Sequence, residues 1–292
     1  MREGKGSMNF CVAYDKVMAR WPADREEISV RTAFGETVVN VCGPRDGAPL
    51  LLLPGGGGAT SASWFANAAE LARTHRVHAV DLIGEPGRSV RDTESPLRTV
   101  DHLTAWLDEL VGALLHDMGA APAARIHLGG HSYGGWIALQ YALHAPERVS
   151  RLFLLDPTKC FSGFRTAYLL RAGSMMLRRS PRRLRAFLEW ETGGVPLDHD
   201  WLRLQEEAGT FPLVRPVTGP APEPEALRAL ELPVLVLLAE RSRAHDARRV
   251  AARAATLLPR AEVTVLPDVS HHALPHTDPA ELNRRLTGFL AA

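Results

Sequence analysis

"IHLGGHSYGGWIALQYAL", Ile126 to Leu143, changes character in its middle. "ARIHLGG" (124–130) has the length and apolar content of a buried strand, and from Tyr133 onward apolar residues recur at helical spacing. Only Gly130-His131-Ser132-Tyr133-Gly134 separates the two patterns, so the chain must turn abruptly there. Such a turn is strained at its centre, and glycines on either side relieve conflict with neighbouring backbone. Ser132 then stands at a helix N-terminus, where free N–H groups and the helix dipole favour negative charge. It is the candidate nucleophile.

Outward from this stretch the same alternation continues. "PLLLLPG" (49–55), "HRVHAVD" (75–81), "RLFLLDP" (151–157), "LPVLVLLAE" (232–240) and "AEVTVLP" (261–267) read as strands buried on both faces. Upstream, "ISVRTAF", ending at Phe34, and "TVVNVCG" (37–43) form an antiparallel hairpin about Gly35. Helical stretches fall at 63–73, 98–118, 133–145, 246–257 and 279–291, and "NFCVAYDKVMARWP" (9–22) reads as an amphipathic helix ended by Pro22. Strand–helix alternation from residue 50 implies right-handed crossovers and a mostly parallel eight-stranded α/β sheet flanked by helices. Residues 157–231 hold no strand and are too long for a plain connection. They are expected to form a helical cap inserted after the sixth strand, with 1–156 and 232–292 making the core. The proline-rich "FPLVRPVTGPAPEPEALRAL" (211–230) is the return from cap to sheet.

Composition narrows the function. Of 292 residues 46% are hydrophobic, enough for a large core. The 34 basic and 33 acidic residues nearly cancel, which argues against a nucleic-acid protein. Cys11, Cys42 and Cys160 lie far apart without a CxxC pair, offering neither a disulfide framework nor a zinc site. "MREGKGSMNF" has no apolar run of signal-peptide length, and nowhere do 18 apolar residues run uninterrupted; a cytoplasmic protein without membrane attachment is expected. Abundant Arg and Ala beside scarce Lys fit a high-GC bacterial genome. The glycine run 55–58 lacks a Walker lysine and GxGxxG spacing, so neither cofactor nor metal is expected.

Taken together, "LLLLPGGGG", "VDLIGEPGRS", "GGHSYGGWIAL", "RLFLLDP", "LPVLVLLAE" and "LPDVSHH" resemble the α/β-hydrolase fold with a helical cap. The resemblance spans nearly the whole chain, and "AYDKVMARWP" with "VNVCGPRDGAPLLLLPG" is most similar to a bacterial carboxylesterase subgroup. It makes the Ser132 turn a nucleophile elbow. It places the oxyanion hole at the backbone N–H groups of Gly56 and Tyr133, where Pro54-Gly55-Gly56 replaces the usual His-Gly segment. The base falls in "SHHALPH", at His271 by the count from the strand, at His272 by the count back from Pro279; His276 follows. Asp81 and Ser89 belong to a structural turn.

One position departs from the pattern. After the seventh strand these enzymes carry Gly-x-x-Asp or Gly-x-x-Glu, whose carboxylate orients the histidine. Here Ala239-Glu240-Arg241-Ser242 puts serine in the acid's place. Asp156, at the end of the sixth strand, is the first choice of replacement, Asp246 the second, and Glu240 or no acid at all stay open. The resemblance implies a serine hydrolase cleaving an ester or thioester through a Ser132 acyl-enzyme. Transfer of the acyl group to an acceptor other than water, in an acyltransferase or cyclase, is the alternative, and a binding protein without chemistry a third. Serine as nucleophile separates the chain from dehalogenases and epoxide hydrolases, which use Asp. The partner is a small-molecule acyl substrate, free or bound to a carrier protein. Arg165, Arg171, Arg178, Arg179, Arg182, Arg183 and Arg185 form either a solvated cap face or a docking surface for an anionic group. Tyr168, Met175, Met176 and Trp190 are candidates for an acyl pocket or for cap core.

Overall fold

The computed structural model describes residues 2–121, 123–212 and 215–292. Leu213 and Val214 of the proline-rich return lie outside the described residues. Among the described residues the strands form one sheet of nine: β1 (Glu26–Thr32), β2 (Gly35–Cys42), β3 (Ala48–Leu53), β4 (His75–Val80), β5 (Val90–Arg91), β6 (Ile126–His131), β7 (Val149–Leu155), β8 (Val234–Ala239) and β9 (Ala261–Leu266). Eight lie in the order β1-β2-β4-β3-β6-β7-β8-β9, and β5 pairs with β2. Every pair from β4 to β9 along that order is parallel, while β2 is antiparallel to β1, β4 and β5. The eight expected strands are all present. The ninth, β5, is two residues long and too short to leave a periodic signature.

Continuous apolar runs are explained by burial on both faces. Leu51 and Leu53 of β3 join one apolar layer with α3 (Val100–Asp117), α4 (Tyr133–His144) and α9 (Ala247–Leu257). Leu50 and Leu52 join the other, with α1 (Arg2–Met18), α2 (Ala68–Leu71) and α10 (Pro279–Ala291). Helix starts follow local chemistry: Thr99 accepts from His102 N, Asp246 from Arg249 N and Asp278 from Glu281 N, the last followed by Pro279 at the first helical position.

Two helical expectations need correction. The N-terminal helix begins at Arg2 and ends at Met18, before Pro22, because the chain unwinds into turns at Ala19–Trp21. The 63–73 stretch is broken into a 3-10 turn at Ser61–Trp64 and the four-residue α2. Between β7 and β8 the chain forms α5 (Thr166–Leu177), α6 (Pro181–Glu191), α7 (His199–Ala208) and α8 (Pro224–Arg228). Helices α6 and α7 pack on each other, α7 also packs on α1, and Leu184, Phe187, Leu188, Trp201 and Leu204 enter the second apolar layer.

Asp81, at the end of β4, accepts hydrogen bonds from Ser61 N and Oγ, Arg88 N and Tyr14 of α1. Ser89 donates to the Asp81 carbonyl and accepts from Val38 N. Both residues therefore pin the loops around the sheet edge.

Candidate active site

β6 delivers Ser132 into a turn with φ 53° and ψ −115°, a backbone strain of order 1–3 kcal/mol held by its surroundings. Ser132 N donates to Leu155 O at 2.9 Å, and Ser132 O accepts from Trp136 N at 3.1 Å and Thr158 N at 3.3 Å. These bonds tie the turn to β7 and to the first turn of α4. Tyr133 is the first residue of α4, so its N–H has no partner within the helix. Gly56 lies against it: a β-carbon there would sit 3.4 Å from Tyr133 Cβ.

The loop after β9 brings His271, not His272, to the serine. His271 Nε2 accepts from Ser132 Oγ at 2.8 Å, and His271 Nδ1 donates to Asp156 Oδ2 at 2.6 Å. Asp156 follows β7 with φ 41°, is fully buried, and through Oδ1 also accepts from Ala239 N at 3.0 Å and His245 Nε2 at 2.9 Å. Burial alone would raise the Asp156 carboxyl. The interactions with His245 and then His271 outweigh it and hold the group well below the usual carboxylate range. For His271, burial favours the neutral ring, but the Asp156 hydrogen bond and charge, with the charge of Glu191, raise its pKa.

The other candidates lie elsewhere. Asp246 caps α9 and pairs with Arg165 across 3.7 Å, half exposed. Glu240 pairs with Arg248 on the surface. Ser242 is buried, and its Oγ has no hydrogen-bond partner among the described residues. His272 lines the cleft, its ring pushed down to about 4 by burial and then by His271. His276 donates through Nε2 to Ser63 O and is stacked on Phe65.

Two participants were not anticipated from the sequence. His245 occupies the second oxygen of Asp156; it lies only three residues beyond Ser242, so a titratable residue in that acid loop was the available signal. Glu191, at the end of α6, reaches the backbone of the histidine loop, and no spacing in the sequence links position 191 to 271.

The cleft at Ser132 is enclosed by Gly55, Gly56, Ser63, Trp201, Gln205 and His272 among its walls. Side chains grip the glycine run from outside: Gly57 N donates to Glu85 at 2.9 Å, Arg179 donates to Gly57 O at 3.3 Å and Gln205 to Gly58 O at 3.1 Å. Most of the 165–185 arginines are likewise engaged within the molecule. Arg171 lies over Trp190, Arg183 donates to Ser174 O, and Arg185 pairs with Glu206. Tyr168 packs on Phe187, Trp190 and the His271 ring. Among the described residues no three His, Cys, Asp or Glu side chains gather as metal ligands, and no helix is long and apolar enough to cross a membrane.

A mostly parallel sheet with a strand–turn–helix serine facing a histidine at its C-terminal edge defines an enzyme of the hydrolase class. The sequence matches the alpha/beta hydrolase family over residues 50–285, and the chain belongs to that family. Among its relatives is carboxylesterase YbfK of Bacillus subtilis strain 168, 28% identical over 98% of this chain and 95% of the relative. The crystal structure of carboxylesterase CesB (YbfK) from Bacillus subtilis matches with a TM-score of 0.88 at 26% identity, covering 98% of both chains. That of naproxen esterase (carboxylesterase NP) from the same organism matches with a TM-score of 0.86 at 25% identity, covering 97% of both.

Proposed function

We propose that this chain is a serine hydrolase cleaving small-molecule esters or thioesters through an acyl-enzyme on Ser132. The observation that carries the reading is the continuous line from Ser132 Oγ through His271 to Asp156, with hydrogen bonds of 2.8 and 2.6 Å. Ser132 Oγ attacks the acyl carbonyl as its proton passes to His271 Nε2, and Asp156 stabilises the resulting imidazolium. The N–H groups of Gly56 and Tyr133 hold the oxyanion. His271 then protonates the leaving alkoxide or thiolate. Water next attacks the acyl carbon as His271 takes its proton, and the bond to Ser132 Oγ breaks as His271 returns that proton to Oγ, releasing the acid. Residues 157–231 act as the cap, with Trp201 and Gln205 of α7 closing the cleft over the serine.

Incubation with a fluorophosphonate, followed by peptide mapping, is expected to label Ser132. His271 must be neutral to act as base and its pKa is raised, so the labelling rate is expected to rise with pH through a value above that of an ordinary imidazole. Folded protein that leaves Ser132 unlabelled would overturn the reading. Turnover of p-nitrophenyl esters in water supports hydrolysis, whereas an acyl-enzyme that discharges only to an added acceptor would make the chain an acyltransferase.

The grip on the glycine run gives a smaller effect. Gln205→Leu leaves the Gly58 carbonyl without its side-chain donor, a loss of about 1 kcal/mol in holding the loop. Ester turnover is expected to fall about fivefold in kcat, with the melting temperature little changed. An unchanged kcat would show that the loop holds its shape without Gln205.

A further inference from the structure

Glu191 is a carboxylate where an apolar helix end would be expected. It closes α6, is 1% exposed, and among the described residues no Lys or Arg side chain pairs with it. Its oxygens instead take three backbone donors: Oε1 accepts from His271 N at 3.1 Å and Arg243 N at 3.3 Å, and Oε2 from His272 N at 3.1 Å. Those N–H groups belong to two different loops, one after β8 and one after β9. On the far side of the same residue, the His271 carbonyl accepts from His131 Nε2 at 2.9 Å. Both peptide groups flanking the His271 side chain are therefore fixed, one by the β7–β8 helices and one by the residue before Ser132.

We propose that Glu191 is the positioning residue for His271, holding its ring on Ser132 through the histidine-loop backbone and placing a second negative charge behind it. The inference rests on His271 acting as base. A neutral amide would not serve equally, because its single acceptor cannot satisfy three donors and its NH₂ would face an N–H. The charge follows from the same geometry. A buried carboxylate is costly unless its hydrogen bonds are made, and here they are made by N–H dipoles that leave its charge unneutralised.

Among the described residues, no other charged or titratable side chain around His271 bonds to the Glu191 carboxylate. Asp156 is itself negative, and His245 bonds to its second oxygen. His131 is held well below the ordinary imidazole value by burial and by His271, and His272 is pushed down to about 4. Burial pushes the Tyr168 phenol up, so it stays neutral. The guanidinium groups of Arg171 and Arg243 lie over the Trp190 ring, at 5.0 and 4.8 Å.

The test follows fluorophosphonate labelling of Ser132 against pH in wild type, Glu191→Gln and Glu191→Asp, with folding checked by circular dichroism. In Glu191→Gln the maximal rate is expected to fall roughly tenfold. The rising limb is expected at lower pH than in wild type, because with less negative charge beside the ring the imidazolium is less favoured. Glu191→Asp keeps the charge and is expected to keep the wild-type limb, with a lowered maximum because its carboxylate is withdrawn from the three N–H groups. A Glu191→Gln limb at the wild-type pH overturns the proposal whatever the rate does, since a merely structural role would slow labelling without moving the limb. If Glu191→Gln does not fold, an unchanged maximum in Glu191→Asp overturns it. Absence of label on wild-type Ser132 overturns the base assignment as well, so the two failures are distinguishable.

Discussion

Asp156→Asn is expected to lower kcat for ester cleavage by on the order of 10⁴, whereas Asp246→Asn stays within about twofold. The size of the first effect follows from the fixed donors around the carboxylate. Ala239 N and His245 Nε2 both meet Oδ1, so in the variant the amide oxygen takes that side. The amide NH₂ then faces His271 Nδ1, which must accept rather than donate. The proton moves to Nε2, and that nitrogen no longer accepts from Ser132 Oγ. Asp246 bonds to the start of α9 and to Arg165, and its exposed cap can be replaced by asparagine at small cost. Both variants are read by initial rates on a p-nitrophenyl ester and by labelling of Ser132. Near-wild-type rates in folded Asp156→Asn would remove Asp156 from the site, and a large loss in Asp246→Asn would point to the wrong loop.

What was legible in the sequence depends on whether a feature is local. The elbow, the buried strands and the β7–β8 insertion are written in consecutive residues, and β3 shows why: burial on both faces makes Leu50 to Leu53 one unbroken apolar run. The choice between His271 and His272 was open because adjacent residues satisfied two different counts. It turns on where the loop after β9 points each ring, and the backbone bonds from Glu191 and His131 set that direction. The acid was ambiguous for a similar reason. The loop after β8 carries Ser242 where the resemblance leads one to expect a carboxylate, and the carboxylate that meets His271 stands one strand away at the end of β7, a neighbour only once the sheet forms. His245 enters from the loop after β8 and bonds to the second oxygen of Asp156, so that loop contacts the buried carboxylate without supplying it.

Gly134→Ala is expected to destabilise the protein by more than about 3 kcal/mol, with a melting temperature lower by roughly 6–10 °C. A β-carbon at position 134 would lie 2.3 Å from Pro54 O and 2.4 Å from Leu53 O, and one at 130 would lie 2.3 Å from Gly134 O. All three obstacles are backbone, so no rotamer change relieves them. Gly288→Ala is the matched control: it sits within α10, a β-carbon there meets nothing within 4 Å, and alanine is expected to stabilise by about 0.5–1 kcal/mol. Thermal unfolding of the two variants, with labelling of Ser132 as a second readout, checks the contrast. A Gly134→Ala protein that melts with wild type and labels normally would mean that the turn can open without cost. The geometry also assigns separate tasks within the motif. Neither Gly130 nor Gly134 has positive φ, so neither is there for left-handed backbone. Ser132 itself takes the strained conformation, and the glycines allow β3, β6 and α4 to approach closely enough to hold it there.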